Sequence, residues 1–276
     1  MPLNVLSADQ ATTSPDQLWE TAEARWLSAL ASEVPVRCGV VFRSAELPRS
    51  YDANQWRLAR LPADMTPPEA ISEVESAFSE SGTRCSSVTL APGAAAPQLV
   101  VHLQANGFVA DQVEVLRLSG HRRSLAAGQG LSLIPARAMR AGYELIARSW
   151  VKEWKDDVVL DMAMAHLDDP SFEPMLVLLR GQVVATGGVL SVGQVGRIEG
   201  ISVLPDFRGR GIGRWLMDAL IDACARAAFK HVLIGVDPKN VAAKQLYATC
   251  GFTPAATVTT YFAPWTAVAV NKSRQA

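Results

Sequence analysis

The chain has 276 residues, 49% of them hydrophobic and 19% charged, and 26 basic against 27 acidic side chains leave a net charge of −1. This composition excludes a disordered chain and suits one large domain or two small ones, while the charge balance excludes the concentrated basic surface that nucleic acid or an anionic membrane requires. No apolar run approaches the ~20 residues of a membrane span, and the opening MPLNVLSADQ lacks the basic and apolar regions of an export signal, so a cytoplasmic protein without nucleic-acid or membrane partners is expected.

In chain order, the apolar spacing predicts a helix over 68–81, a strand over 85–90, a helix over 97–106 and a strand over 112–118. Residues 121–130, HRRSLAAGQG, are polar and aperiodic. They mark a linker dividing the chain into 1–120 and 131–276. Beyond it, helices are expected over 136–150 and 158–166, then a hairpin of MLVLLR and QVVATGGVLS turning at Gly181, then a strand over 197–203. Residues 211–228 carry the clearest helical pattern, with Ile212, Trp215, Leu216, Ala219, Leu220 and Ala223 on one face. Arg214, Asp218, Asp222 and Arg226 lie opposite, in i,i+4 pairs of opposite sign. HVLIGV (231–236) reads as a buried strand, 240–249 as a short helix closed by Cys250-Gly251, and 254–265 as the place of a final strand pair. LQANGF (103–108) and YATCGF (247–252) repeat one helix–Gly-Phe–strand context 144 residues apart, which suggests domain duplication. The four cysteines and four histidines are scattered, form no CxxC pair and spell no zinc site; free thiols are expected.

The densest chemical signal is VLPDFRGRGIGRWLMDAL (203–220). Amides at a helix N-terminus are unpaired and carry partial positive charge. Glycine lets a pyrophosphate approach them, and Arg208 and Arg210 add charge-assisted donors. The plain alternative is a tight glycine turn with solvated arginines. The pattern lacks the lysine of a nucleotide-hydrolysing P-loop and is not the dinucleotide GxGxxG. On the strand just before it, Glu199, Ile201 and Val203 share one side by alternation. That makes Glu199 the nearest carboxylate for deprotonating an attacking amine, with a surface or ion-paired glutamate as the alternative.

Val203, Pro205, Arg208, Gly209, Gly211 and Gly213, followed by Asn240, Ala243, Leu246, Tyr247, Gly251 and Phe252, reproduce V-x-P-x-x-R-G-x-G-x-G and N-x-x-A-x-x-L-Y-x-x-x-G-F. In these two motifs the chain resembles the GNAT superfamily of N-acyltransferases. The resemblance implies an α+β fold, a mixed and largely antiparallel central sheet with flanking helices, whose strands 197–203 and 231–236 splay apart. It implies acetyl-CoA as cosubstrate. The pantetheine would lie along Ile201, Ser202 and Val203, and the pyrophosphate on Arg208, Gly209, Arg210, Gly211, Ile212 and Gly213. Asn240 would sit near the pantetheine arm, and Tyr247 would protonate the departing thiolate. The acceptor would be an amine, on a small molecule or a protein, attacking directly in a ternary complex. Trp150, Trp154, Lys155, Asp156 and Asp157 occupy the stretch where the family places acceptor-facing residues, where the acidic pair would attract a cationic amine; the alternative for that pair is a solvated helix cap. The alternative function is an acyl-CoA-binding sensor or scaffold without turnover. Residues 1–120 resemble the degenerate half of a tandem GNAT protein: 58–71, LARLPADMTPPEAI, stands where a glycine loop belongs, yet has no glycine and carries Pro62, Pro67 and Pro68.

Overall fold

The computed structural model describes residues 14–91, 94, 96–120 and 130–266. Apart from Gly130, the expected linker lies outside the described residues, as does the opening decapeptide. The first helix, α1 (Pro15–Leu27), starts at a capping box in which Ser14 and Gln17 exchange side-chain and backbone bonds, satisfying amides that would otherwise be orphaned. Strands β1 (Ser32–Val36), β2 (Gly39–Arg43) and β3 (Gln55–Leu58) follow, then helix α2 (Pro67–Ser79), β4 (Ser87–Leu90), α3 (Pro97–Ala105) and β5 (Val109–Leu118). The second stretch runs β6 (Leu131–Pro135), α4 (Arg140–Trp154), α5 (Val158–Asp168), β7 (Phe172–Leu179), β8 (Gln182–Val192) and β9 (Val195–Val203). It ends with α6 (Ile212–Arg226), β10 (His231–Val236), α7 (Val241–Cys250) and β11 (Phe252–Phe262). The expected strand pair within 254–265 is instead this single strand. It finds its partners in the N-terminal stretch, so no local hairpin is needed.

All eleven strands form one sheet in the order β1-β2-β3-β4-β11-β5-β10-β9-β8-β7-β6. Among the described residues only β3–β4 and β9–β10 are parallel; the rest is antiparallel, giving the mixed, largely antiparallel sheet that the resemblance implies. The two stretches exchange strands at its centre. β5 lies between β11 and β10, and β11 lies between β4 and β5, the two running antiparallel from Phe252↔Leu118 to Phe262↔Val109. The order β3-α2-β4-α3-β5 recurs as β9-α6-β10-α7-β11. Gln55↔Ser87 to Leu58↔Leu90 in the first parallel pair corresponds to Val195↔His231 to Ile198↔Ile234 in the second. Arg57 therefore corresponds to Arg197.

One face of the sheet carries α2 and α3 over Val41, Trp56, Leu58 and Val88, and α6 and α7 over Val184, Ile198, Val232 and Ile234. On the other face α1 crosses the centre, burying Trp19 and Ala22 against Val115, Val195, Leu233 and Val258. Trp19 lies so close to Gly235 that a Cβ there would meet its ring at 2.7 Å. The four cysteines are free thiols, and Cys250 is fully buried, its thiol pushed up to about 11 by burial. Among the described residues no helix is long and apolar enough to cross a membrane.

Candidate active site

β9 and β10 are hydrogen-bonded only as far as Ile198↔Ile234. Past that point β9 continues to Val203 along β8, and β10 continues to Val236 along β5, so the two parallel strands part. Gly200, at φ +66°, lies opposite an irregularity between Thr186 and Gly188, a bulge that breaks the expected alternation: Ile201 and Val203 turn to the core beneath α6, whereas Glu199 lies with Arg197 on the face of α1. The Leu204 amide donates to the Val184 carbonyl at 2.9 Å. In an antiparallel ladder this fixes the alternation: the backbone of Ser202 serves β8, while the N–H and C=O groups of Ile201 and Val203 face the opening. Ser202, expected among the cofactor contacts, thus spends its backbone on the sheet.

The chain turns from β9 into α6 through Gly209 (φ +74°) and Gly211 (φ +77°), conformations that L side chains rarely adopt. A Cβ at either would meet nothing within 4 Å, so the loop faces open space. Gly211 is the N-cap of α6 and offers no side-chain cap to the amides of the first turn. A Cβ at Gly213 would make only ordinary contacts, 3.5 Å to Leu246 and 3.7 Å to Val203, and Ile212 is buried in the core beneath. Arg208 turns back, donating from Nε to the Val203 carbonyl at 2.9 Å and pairing with Glu153 at 2.9 Å. Arg210 donates to the Asp206 carbonyl at 2.8 Å and lies over the Phe207 ring. The groups aimed at the opening are therefore backbone amides, with the two guanidiniums held at its margin. Asn240 caps α7, its Oδ1 accepting from the Ala243 amide at 3.0 Å.

Tyr247, on α7, is 7% exposed. Burial pushes its phenol well above the ordinary tyrosine range, and the charges of Glu199 and Cys250 add to the rise; the structure thereby places Glu199 within electrostatic reach of Tyr247. Burial likewise pushes Glu199 up against the pull of Arg197, with Glu23 adding to the rise. Arg197, 6% exposed, is ion-paired to both Glu199 and Glu23 and lies 3.9 Å from the Trp19 ring centroid. Against the upward push of burial, Arg197 and Arg57 hold Glu23 below its ordinary range. Neither Glu23, Trp19 nor Arg197 was singled out by the sequence reading. The signal available was Ser14-Pro15-Asp16-Gln17, a capping box with proline at its first helical position, leading into Trp19, Ala22, Trp26 and Leu27 at helical spacing.

The α4–α5 connection lies elsewhere. Trp154, Lys155, Asp156 and Asp157 line a cleft of about 630 Å³ with Arg49, Tyr51 and Trp265, and neither Tyr247 nor Glu199 lines it. Trp150 is buried and stacks on Trp154 at 5.9 Å. The Asp156 carboxylate accepts from the Val158 amide at 3.1 Å, and Asp157 pairs with Arg49 at 2.7 Å. This acidic pair caps a helix and joins the two stretches.

Residues 139–252 match the model of the acetyltransferase (GNAT) family. In fold the chain is similar to a GCN5-related N-acetyltransferase from Kribbella flavida, at 16% identity and a TM-score of 0.66 over 91% of this chain and 96% of that one. It is also similar to a functionally unknown conserved protein from Staphylococcus epidermidis, at 15% identity and a TM-score of 0.60 over 85% and 94% of the two chains. No curated protein matches it. The parted strands, the glycine turn into α6 and the family match coincide on one segment: residues 139–252 form a domain of the acetyltransferase (GNAT) family.

Proposed function

We propose that this domain transfers an acetyl group from acetyl-CoA to a primary amine by direct attack in a ternary complex. The observation that carries the reading is the junction of two features: a β9 edge at Ile201 and Val203 that has no strand partner, its Val203 carbonyl met by Arg208, running straight into an open, uncapped helix N-terminus at Gly211. An extended pantetheine amide fits the first and a pyrophosphate the second. Bound acetyl-CoA would supply an activated thioester. Around it the first-turn amides of α6 hold negative charge, with Arg208 and Arg210 beside them. Glu199, raised by burial, accepts the amine proton. Tyr247, held protonated by burial, is the donor toward the leaving sulfur.

Residues 1–120 are read as a silent counterpart, with 131–276 as the catalytic half. Counted from Arg57 and Arg197, Ala59 stands where Glu199 does and Pro62 where Ser202 does. At the start of α2 the Glu69 carboxylate accepts from the Thr66 amide and hydroxyl at 2.8 and 2.7 Å, so an anion already occupies the end that would have to receive phosphate. The acceptor remains defined by chemistry alone, as an amine on a small molecule or protein. The test is release of CoA thiol from acetyl-CoA against a panel of amines. Amine-dependent release supports the enzyme, and binding of acetyl-CoA without release under any amine would assign the chain to the sensor class.

A further inference from the structure

The helix that crosses the back of the sheet, α1, belongs to the silent half, yet one of its carboxylates, Glu23, pairs with Arg197, the partner of Glu199. We propose that Glu23 is a positioning residue of that centre, holding and tuning Glu199 through the guanidinium they share on Arg197. The proposal rests on the reading of Glu199 as the base.

Arg197 stands two residues before Glu199 on β9, so both side chains leave the same face of the strand. Its Nε donates to Glu199 and its Nη1 to Glu23, while the Trp19 ring covers the guanidinium. The arrangement is doubled across the repeat. Arg57, the counterpart of Arg197, donates to Glu20 at 2.7 Å and lies 3.8 Å from Glu23. Two residues after Arg57, just past the end of β3, however, Ala59 stands in the place of Glu199. In the silent half the buried arginine answers only to α1; in the catalytic half it answers to α1 and to the carboxylate at the parted strands.

Charge counting shows what this does. Three carboxylates, Glu20, Glu23 and Glu199, face two guanidiniums, Arg57 and Arg197. A partly buried cluster with one excess negative charge gains by taking up a proton. Glu23 lies against both guanidiniums and stays ionised, and Glu20 holds Arg57 with both oxygens. Glu199, with a half-share of one cation, is therefore the carboxylate of the three that takes up an arriving proton most readily. The other charged or titratable groups around it are Tyr247 on α7 and, beyond Arg197, His166 on α5 and Arg25 on α1. Across the ladder β8 presents only Gly188. Glu23 thus makes Glu199 a better proton acceptor than its contact with Arg197 alone would allow, and the N-terminal stretch becomes part of the chemistry although it binds no substrate.

The experiment is a pH titration of the full chain carrying 13C-labelled glutamate carboxyls, with the Glu199 signal assigned by its loss in Glu199→Gln. Glu23→Gln leaves Arg197 to Glu199 alone and removes a neighbouring negative charge, so the Glu199 midpoint should fall by roughly 1 pH unit. Arg197→Met should raise it. Glu23→Asp, which keeps the charge, should return the midpoint toward that of the unaltered chain and guards against a variant that merely misfolds. The acidic limb of kcat/KM, measured with one accepted amine of known pKa, should follow the midpoints. An unmoved midpoint in Glu23→Gln, or shifts of the same sign in Glu23→Gln and Arg197→Met, would overturn the proposal while leaving Glu199 as base. Midpoints that move while the kcat/KM limb stays would remove Glu199 from the reaction and the proposal with it.

Discussion

Tyr247 and His166 are both buried, and burial acts on them in opposite senses because it always disfavours the charged form. For Tyr247 it keeps the phenol protonated far above neutral pH. Tyr247→Phe preserves the ring and its tilted contact with Phe252 and removes the proposed donor. Acetyl-CoA affinity should hold while kcat drops by perhaps ~10²-fold, the size of a lost general acid; turnover equal to that of the unaltered chain would place the donor elsewhere. His166 is 3% exposed, stacks on Trp26 at 3.4 Å, and has no hydrogen-bond partner on either ring nitrogen among the described residues. Burial, reinforced by Arg197 and Arg25, pulls its pKa from 6.5 down to about 3. Between those values the unfolded chain binds a proton that the folded chain refuses, so stability present above pH 6.5 is lost progressively as pH falls toward 3. His166→Phe keeps the stacked ring and removes the titration. Its melting temperature should therefore fall less steeply with acid than that of the unaltered chain, as read by thermal unfolding across this range. Parallel slopes would assign the acid sensitivity to other groups.

Among the elements, β5 and β11 tie the two stretches together. Each is a long central strand hydrogen-bonded on both edges, and each has the other stretch on at least one side. Residues 131–276 expressed alone would lack β5 and leave β10 and β11 with open edges, and residues 1–120 would lack β11 and leave β4 and β5 open. Open central edges pair with whatever they meet. Each fragment should be insoluble or unfolded by circular dichroism, and the two co-expressed should assemble into a soluble pair. A fragment that is monomeric and melts cooperatively by itself would contradict the exchange. This coupling was hidden from the sequence, because alternation shows that a strand exists and says nothing of its partner. Strand β11 is accordingly expected as a pair of strands within 254–265, when its actual partners, from Leu118 to Val109, are 134 or more residues away. Helix α6, with its unbroken apolar face, was legible to within two residues at each end. So were the glycine turn and the Asn240–Phe252 motif, which carry their chemistry in local spacing. Strand β6, strands β1 to β3 and helix α1 were not read, the last despite its capping box. With α1 went the whole of the Glu23–Arg197–Trp19 contact, which is built by sheet topology across more than 170 residues.

On the scale of the whole molecule, the proposed function is asymmetric on a near-symmetric frame. The two halves match in element order, strand sense and the pairing of a buried arginine with α1. They differ where the strands lead into the helix: open glycines and bare amides at α6, prolines and a capping carboxylate at α2. A single acyl-CoA site per chain is expected, at the N-terminus of α6. Its most direct test is calorimetric titration of acetyl-CoA into the unaltered protein, Gly211→Ala and Gly211→Glu. Both substitutions carry the same left-handed backbone cost, since Gly211 sits at φ +77°, and only glutamate places bulk and negative charge in the open space before the helix. The account predicts one equivalent bound by the unaltered chain and an affinity for Gly211→Glu at least tenfold below that of Gly211→Ala, about 1.4 kcal/mol. Absence of binding to the unaltered chain, or equal affinity in the two variants, would contradict it.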